Sequence, residues 1–133
     1  MTDTAATEMI HSLVPLCVTL GITADTAVPN EVVLSLDWAP NLCTGNDVLH
    51  GGIVMALADS SGAVCAFLNL PGGAGGTATI ESKTNFFAAT RSGTVKAHSR
   101  PLHVGRRVIV VETEIRGNDG KLAAKTIQSQ AVL

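Results

Sequence analysis

The sequence has few charged and few aromatic residues for its length. Of its 133 residues, 15% are charged and 3% are aromatic, and there is no tyrosine. Lysine and arginine number 9 against 11 acidic residues, so the formal net charge of −2 excludes the basic surface that nucleic-acid binding requires. A hydrophobic content of 46% excludes a disordered chain. We therefore expect a single domain over residues 1–133, with apolar surface hidden between copies in a homo-oligomer.

Cysteine is also scarce, and the cysteines do not form a recognisable motif. There are three of them, at Cys17, Cys43 and Cys65, with no C-x-x-C spacing. An odd number without pairing points to reduced thiols and a cytoplasmic protein. The first ten residues lack the basic start and apolar segment of a secretory signal. The four histidines show no metal-ligand spacing either, so we expect no metal.

One apolar run, residues 51–70, approaches the length of a membrane span. Asp59, Ser60 and Ser61 lie in its middle, where an unpaired carboxylate would be costly in lipid. The run is therefore interpreted as a soluble core helix and not as a membrane segment. Because it is apolar on nearly every side, we expect it to be buried on every side.

The remaining pattern predicts an α+β protein. Residues 1–14 contain a short helix (2–13), and residues 20–28 and 31–38 alternate as two strands, followed by a loop over 39–49. The long helix covers 52–68, a glycine-rich loop follows, and four strands are expected at 77–87, 93–99, 106–116 and 121–133. Consecutive strands form antiparallel sheets, so we expect a curved antiparallel sheet wrapped around one long central helix.

The start of the long helix carries the first candidate chemistry. In Leu49-His50-Gly51-Gly52, the two glycines open the helix without side chains, so free N–H groups and the helix dipole can approach an oxygen that gains negative charge. The alternative is that the glycines only permit a tight turn.

Asp59 is the second candidate, because aspartate is a poor helix former in the middle of an apolar helix. A buried carboxylate there must be hydrogen-bonded or functional, with Ser60, Ser61 or a threonine of a facing strand as possible partners. Eight residues separate it from Gly51, about 12 Å along a helix. One helix therefore cannot bring both groups to one carbonyl, whereas two antiparallel copies can. A catalytic role predicts a dimer with two shared sites.

The segment His50-Gly51-Gly52-x6-Asp59, with residues 77–93 and 101–107, resembles the hotdog-fold thioesterases of the phenylacetate-degradation (PaaI-like) type, and the resemblance covers about residues 31–133. It implies a hotdog fold, a dimer or tetramer, and hydrolysis of an acyl-CoA thioester with no cofactor except the CoA of the substrate. In this family the N–H of Gly51 would polarise the carbonyl. Asp59 of the neighbouring subunit would act as nucleophile or general base.

The resemblance also assigns supporting residues. Thr79 is the best match for the hydroxyl that holds water, with Thr77 second, and His50 shapes the start of the helix. Many members carry an asparagine six residues before the histidine, where this chain has Thr44 and a nearby Asn46. Gly52, Asn46 and Thr77 are therefore candidates for substrate binding. Arg100, Arg106 and Arg107 are candidates for the CoA phosphates.

Three alternatives stay open at this stage. Cys43 could be a nucleophile activated by His50. His50 and Asp59 could serve a hotdog dehydratase or hydratase. A protein that binds acyl-CoA without turnover is the third, because the family asparagine is replaced by Thr44.

Overall fold

Six strands form one antiparallel sheet, and the longest helix packs across it in a computed structural model that describes residues 1–133. The sheet order is β1-β2-β4-β5-β6-β3, and every pair is antiparallel. The helices are α1 (Thr4–Leu13), α2 (Pro15–Leu20) and α3 (Gly51–Leu68), and the strands are β1 (Thr23–Val28), β2 (Glu31–Asp37), β3 (Thr77–Phe86), β4 (Thr94–Val104), β5 (Val108–Arg116) and β6 (Leu122–Val132). The predicted α+β architecture is confirmed.

Buried side chains at every second strand position form the core between the sheet and α3. On β5, the buried positions Ile109, Val111, Thr113 and Ile115 alternate with half-exposed neighbours. Side chains of a strand point to opposite faces in turn, so one face of β5 lies on α3 and the other lies outward. The resulting core contains 21 buried residues, to which α3 contributes along its whole length.

Several predicted boundaries were wrong. Residues 15–20 form the short helix α2, with Pro15 in its first turn and Gly21 at φ 70° as its end, so the strand expected from residue 20 begins at Thr23. The long helix begins at Gly51, one residue earlier than predicted.

The strand predicted at 93–99 was also too short. It continues to Val104 as β4, beyond its last β2 partner at Ser99, with a register shift between Pro101 and His103. Proline is tolerated at position 101 because β4 has no β2 partner beyond Ser99, so no backbone N–H is needed there for pairing.

Helix α3 is not buried on every side, contrary to the expectation. Its sheet-facing residues are buried, but Met55 and Phe67 are 39% and 40% exposed on the opposite side. By length and composition α3 could cross a membrane, yet half of it is buried in the core of this domain. The sheet covers only one side of the helix, so an apolar face is left open in the single chain.

The two edges of the sheet differ. On β1, the backbone of Ala24 is bonded by Asp3 and Thr7 of the α1 segment. Strand β3 pairs only with β6, and its ten residues leave the other edge free. Nearby apolar side chains are exposed, including Ile80 at 62% and Phe86 at 50%. A long free edge of this kind is a surface to which another strand can add.

Candidate active site

The start of α3 presents one free N–H group. His50 is the N-cap, and its Nδ1 accepts a hydrogen bond from the N–H of Gly52 at 2.8 Å, so the ring proton lies on Nε2. Gly51 is the first residue of the helix, and its N–H has no acceptor in a preceding turn. No loop, cap or side-chain hydrogen bond of the structure uses it. The Gly51 N–H is therefore available to a ligand, whereas the Gly52 N–H is already bonded.

An apolar cavity of about 370 Å³ opens beside Gly51. Phe86 of β3 forms one wall, with its ring 3.4 Å from the position that a Cβ on Gly51 would take. Thr44 lines the same cavity, but Asn46 does not. Asn46 lies instead in a short 3-10 turn at φ 61°. The cavity can hold the apolar part of a ligand whose carbonyl oxygen accepts a hydrogen bond from the Gly51 N–H.

Asp59 lies two turns further along α3 and is held by the sheet. Its Oδ1 accepts hydrogen bonds from the Thr79 hydroxyl at 3.0 Å and from Nε2 of Gln128 at 3.1 Å. Of the partners that the sequence left open, the threonine on a facing strand is the one observed. Ser61 is turned into the core, where it is bonded to Ser99 at 2.7 Å.

A chain of polar side chains continues from Asp59 along β3 and β6. Gln128 donates to Oε1 of Gln130 at 2.9 Å, and Gln130 donates to the Thr77 hydroxyl at 3.2 Å. The Thr79 hydroxyl is also 2.6 Å from Oε1 of Gln130, so its single proton is shared between that oxygen and Asp59. Thr77 and Thr79 thus belong to one network with the carboxylate.

Sequence reasoning missed Gln128 and Gln130. Both are buried, on the face of β6 that also carries Ala124 and Thr126. The available signal was that the two glutamines occupy alternate positions of β6 that continue the buried face of Ala124 and Thr126, where long polar side chains are unusual.

The two candidate groups are separated within one chain. Gly51 lies against Phe86 at the end of β3, and Asp59 is bonded to Thr79 near its beginning. The rise of an α-helix places eight residues about 12 Å apart, so no single carbonyl can touch both.

The predicted arginines are divided between two places. Arg106 and Arg107 lie in the turn between β4 and β5, beside an open cavity of about 590 Å³, and neither belongs to an ion pair. The carbonyl of Arg107 accepts from the N–H of Val132, the β6 partner of Thr77. The turn is therefore at the same end of the sheet as Thr79 and Asp59. Arg100 lies within β4, opposite Glu112, and does not line this cavity.

The structure does not assemble a cysteine nucleophile. Cys43 Sγ donates to the carbonyl of Ala39 at 3.3 Å and is not bonded to His50, whose Nδ1 is occupied by Gly52. Cys17 and Cys65 are buried and free. Burial raises the pKa of the Cys65 thiol to about 11, so it remains a neutral thiol.

Comparisons with known proteins identify the family of this chain. A sequence model of the thioesterase superfamily matches residues 46–124, which include His50 and Asp59. A candidate esterase from Saccharolobus solfataricus is 35% identical over 103 residues, covering 77% of this chain and 72% of that protein. A 1,4-dihydroxy-2-naphthoyl-CoA hydrolase from Escherichia coli is 33% identical over 86 residues, covering 65% of this chain and 62% of that protein.

Solved structures show the same fold. A thioesterase from Haemophilus influenzae superposes with a TM-score of 0.88 at 25% identity, over 99% of this chain and 93% of that one. The phenylacetic acid degradation protein PaaI from Thermus thermophilus superposes with a TM-score of 0.82 at 23% identity, over 90% and 99% of the two chains.

Proposed function

The chain belongs to the thioesterase superfamily and has its hotdog fold, and we propose that it hydrolyses acyl- or aryl-CoA thioesters to a free acid and CoA. The observation that carries the proposal is the presence of two chemically suitable groups on the same helix, α3. One is the free N–H of Gly51, and the other is a carboxylate, Asp59, held by hydrogen bonds to the sheet.

In the proposed reaction the thioester carbonyl oxygen accepts the Gly51 N–H, which stabilises the negative charge of the tetrahedral intermediate. Asp59 then acts in one of two ways. As a general base it takes a proton from water, whose oxygen attacks the carbonyl carbon and forms the tetrahedral intermediate. The intermediate then collapses with breakage of the C–S bond, and the proton held by Asp59 passes to the departing CoA thiolate. As a nucleophile it forms an acyl-aspartyl anhydride with loss of the thiolate, and water hydrolyses that anhydride. The Thr79 hydroxyl contacts Asp59, which supports a role for Thr79 in holding the water in both proposed routes.

We propose that each site is shared between two copies of the chain. Strand β3 carries the Asp59 partner Thr79 near its beginning and the Gly51 neighbour Phe86 at its end. If two β3 edges pair antiparallel about a twofold axis, the beginning of one strand meets the end of the other. Asp59 of one copy then approaches Gly51 of its partner, and the open apolar face of α3 is covered. The assembly is a homodimer, or a tetramer built from two such dimers.

The β4–β5 turn supports a CoA substrate. Arg106 and Arg107 are unpaired cations at the Asp59 end of the sheet, where the phosphates of CoA can be bound by guanidinium groups. No cofactor is proposed apart from the CoA of the substrate. Because all three cysteines are free, the structure fits the proposed cytoplasmic location.

The test is release of free thiol from a panel of aryl- and alkyl-CoA thioesters by the wild type and by Asp59→Asn. Light scattering confirms that both proteins have the same assembly. Thiol release by the wild type, and its loss by about 100-fold or more in a folded Asp59→Asn, is expected. Binding of acyl-CoA without release of thiol would favour the non-catalytic binder instead. A fully active Asp59→Asn would exclude the carboxylate mechanism.

A further inference from the structure

We propose that Gln128 is a positioning residue that sets the orientation of the Asp59 carboxylate, and that the lack of a side chain at Gly62 makes room for the Gln128 amide group. This inference rests on the proposed catalytic role of Asp59. It concerns a contact between β6 and the middle of α3 that spans 69 residues of sequence.

The first observation is the hydrogen bonding of the Gln128 amide. The side chain is completely buried, and its Nε2 donates one hydrogen to Oδ1 of Asp59 and the other to Oε1 of Gln130. Both N–H groups of the amide are therefore used. A buried side chain with both donors committed has one orientation, so the carboxylate oxygen that it contacts is fixed as well.

The second observation is the place of Gly62 in the helix. Gly62 is three residues after Asp59, on the same face of α3. A Cβ built on it would lie 2.1 Å from Oε1 and 2.5 Å from Cδ of Gln128. The amide thus occupies the space of a side chain at position 62. Glycine destabilises a helix interior relative to alanine, and here the absence of a Cβ lets the glutamine reach Asp59.

The third observation is the unpartnered oxygen of the same amide. Oε1 of Gln128 is buried and has no hydrogen-bond partner. Exchanging the amide nitrogen and oxygen would turn Oε1 toward Oδ1 of Asp59 and Oε1 of Gln130, both of which are acceptors. The observed orientation leaves one oxygen without a partner and turns both N–H groups toward acceptor oxygens, one of which belongs to Asp59.

The consequence concerns which oxygen of Asp59 reacts. Oδ1 receives the bonds of Thr79 and Gln128, and Oδ2 receives none. With Oδ1 tied to the sheet, Oδ2 is the oxygen left to attack the carbonyl carbon or to accept a proton from water. Gln128 therefore acts through Asp59 and does not touch the substrate.

The experiment is a double-mutant cycle between Gly62→Ala and Gln128→Ala, measured by thiol release. Gly62→Ala is expected to lower kcat by about 10- to 100-fold in the wild-type background, because it displaces the amide and shifts the carboxylate. In the Gln128→Ala background the space is empty, so Gly62→Ala is expected to change kcat less than about twofold. KM is expected to stay within about twofold of wild type in all variants, because no substrate contact is removed.

Two further variants test positioning against general damage. Gln128→Glu places a second carboxylate beside Asp59, and it is expected to move the acidic limb of the kcat–pH profile to higher pH. Thr126→Val is the matched control, since Thr126 lies on the same face of β6 as Gln128 and the substitution removes its part-buried hydrogen bond to Thr84 of β3. It is expected to lower the free energy of unfolding and to leave kcat unchanged.

The outcomes separate this inference from the proposed function. Additive effects of Gly62→Ala and Gln128→Ala, or wild-type kcat in folded Gln128→Ala, would overturn the positioning role while Asp59→Asn remained inactive. Wild-type protein without thiol release, or an active Asp59→Asn, would overturn the proposed function and this inference together. If Gln128→Ala fails to fold, Gln128→Asn replaces it, because the shorter amide remains polar but withdraws from Asp59.

Discussion

The N–H of Gly52 donates to Nδ1 of His50 across 2.8 Å, and this bond decides which of the two adjacent glycines can serve a substrate. The N–H of Gly52 is bonded to the helix cap, whereas the N–H of Gly51 stays free. The histidine is therefore a structural part of the site, and its ring is not available as a base while the cap is intact.

Replacing Gly51 by proline is expected to remove the polarising N–H and to keep the helix. Proline is favoured at the first position of a helix, and His50 already has the extended backbone that proline requires of its predecessor, with φ −59° and ψ 133°. We expect kcat of Gly51→Pro to fall by about 100-fold or more. Gly51→Ala keeps the N–H and meets Phe86 at an ordinary contact distance, so it is the matched control in the thiol-release assay. Rates close to that of the wild type in both variants would exclude the N–H from the mechanism.

His50 is expected to affect stability through its cap. His50→Ala should lower the free energy of unfolding by about 0.5–2 kcal/mol, as loss of an N-cap does. His50→Asn should recover most of the stability and most of the activity, because asparagine is an efficient N-cap. Urea unfolding and thiol release measure the two properties. If His50→Asn were stable and inactive, His50 would instead be catalytic.

Mixed dimers test whether the sites are shared. Asp59→Asn and Gly51→Pro are each expected to be inactive alone, but a mixed dimer keeps one site made of an intact Asp59 and an intact Gly51. Random co-assembly should restore about a quarter of the wild-type activity, since half of the dimers are mixed and each has one working site. Co-expression with two affinity tags isolates the mixed species. If each site lay within one chain, the mixed dimers would have no activity.

The arginine turn is expected to recognise the nucleotide part of CoA. In the double variant Arg106→Ala/Arg107→Ala, KM for a CoA thioester should rise about tenfold or more through loss of charged hydrogen bonds. KM for the matching N-acetylcysteamine thioester, which has no phosphate, should stay unchanged. Lys121, in the β5–β6 turn at the opposite end of the sheet, supplies the control variant Lys121→Ala. An equal rise in KM for both substrates would argue against phosphate contact.

Stability at acidic pH is expected to depend on Asp25. Burial alone would raise the pKa of this carboxyl, but the hydrogen bonds and charge of Lys96, with a further bond from Ser35, outweigh burial and lower the pKa below its usual value. A carboxyl with a lowered pKa in the folded state stabilises the protein above its usual pKa. That stabilisation is lost as the pH falls through the lowered pKa.

Wild type should therefore lose more stability than Asp25→Asn between about pH 5 and about pH 2. Urea midpoints measured across this range test the expectation. Parallel curves for the two proteins would show that the Asp25–Lys96 pair contributes nothing to the pH dependence.

The sequence was sufficient for the main elements of the fold. The long apolar run identified α3 to within one residue, and the period-two segments placed all six strands, because both patterns reflect contacts with a single core. It failed at residues 15–20, where apolar residues without a clear period form α2, and at Pro101, where a strand continues through a residue that local rules place at a boundary. It also predicted too much burial for α3, because composition does not show how many sides the sheet covers.

The candidate site was predictable only where it is local. Gly51 and Asp59 stood out because glycine at a helix start and aspartate inside an apolar helix are each unusual for their position. Gln128 was missed, since it meets Asp59 only when β6 folds against α3. The order of helices and strands and the two unusual positions in α3 follow from local sequence patterns. The free N–H of Gly51, the bonded oxygen of Asp59 and the contact between Gly62 and Gln128 follow only from the tertiary structure. Each depends on a distance between groups that no local pattern encodes.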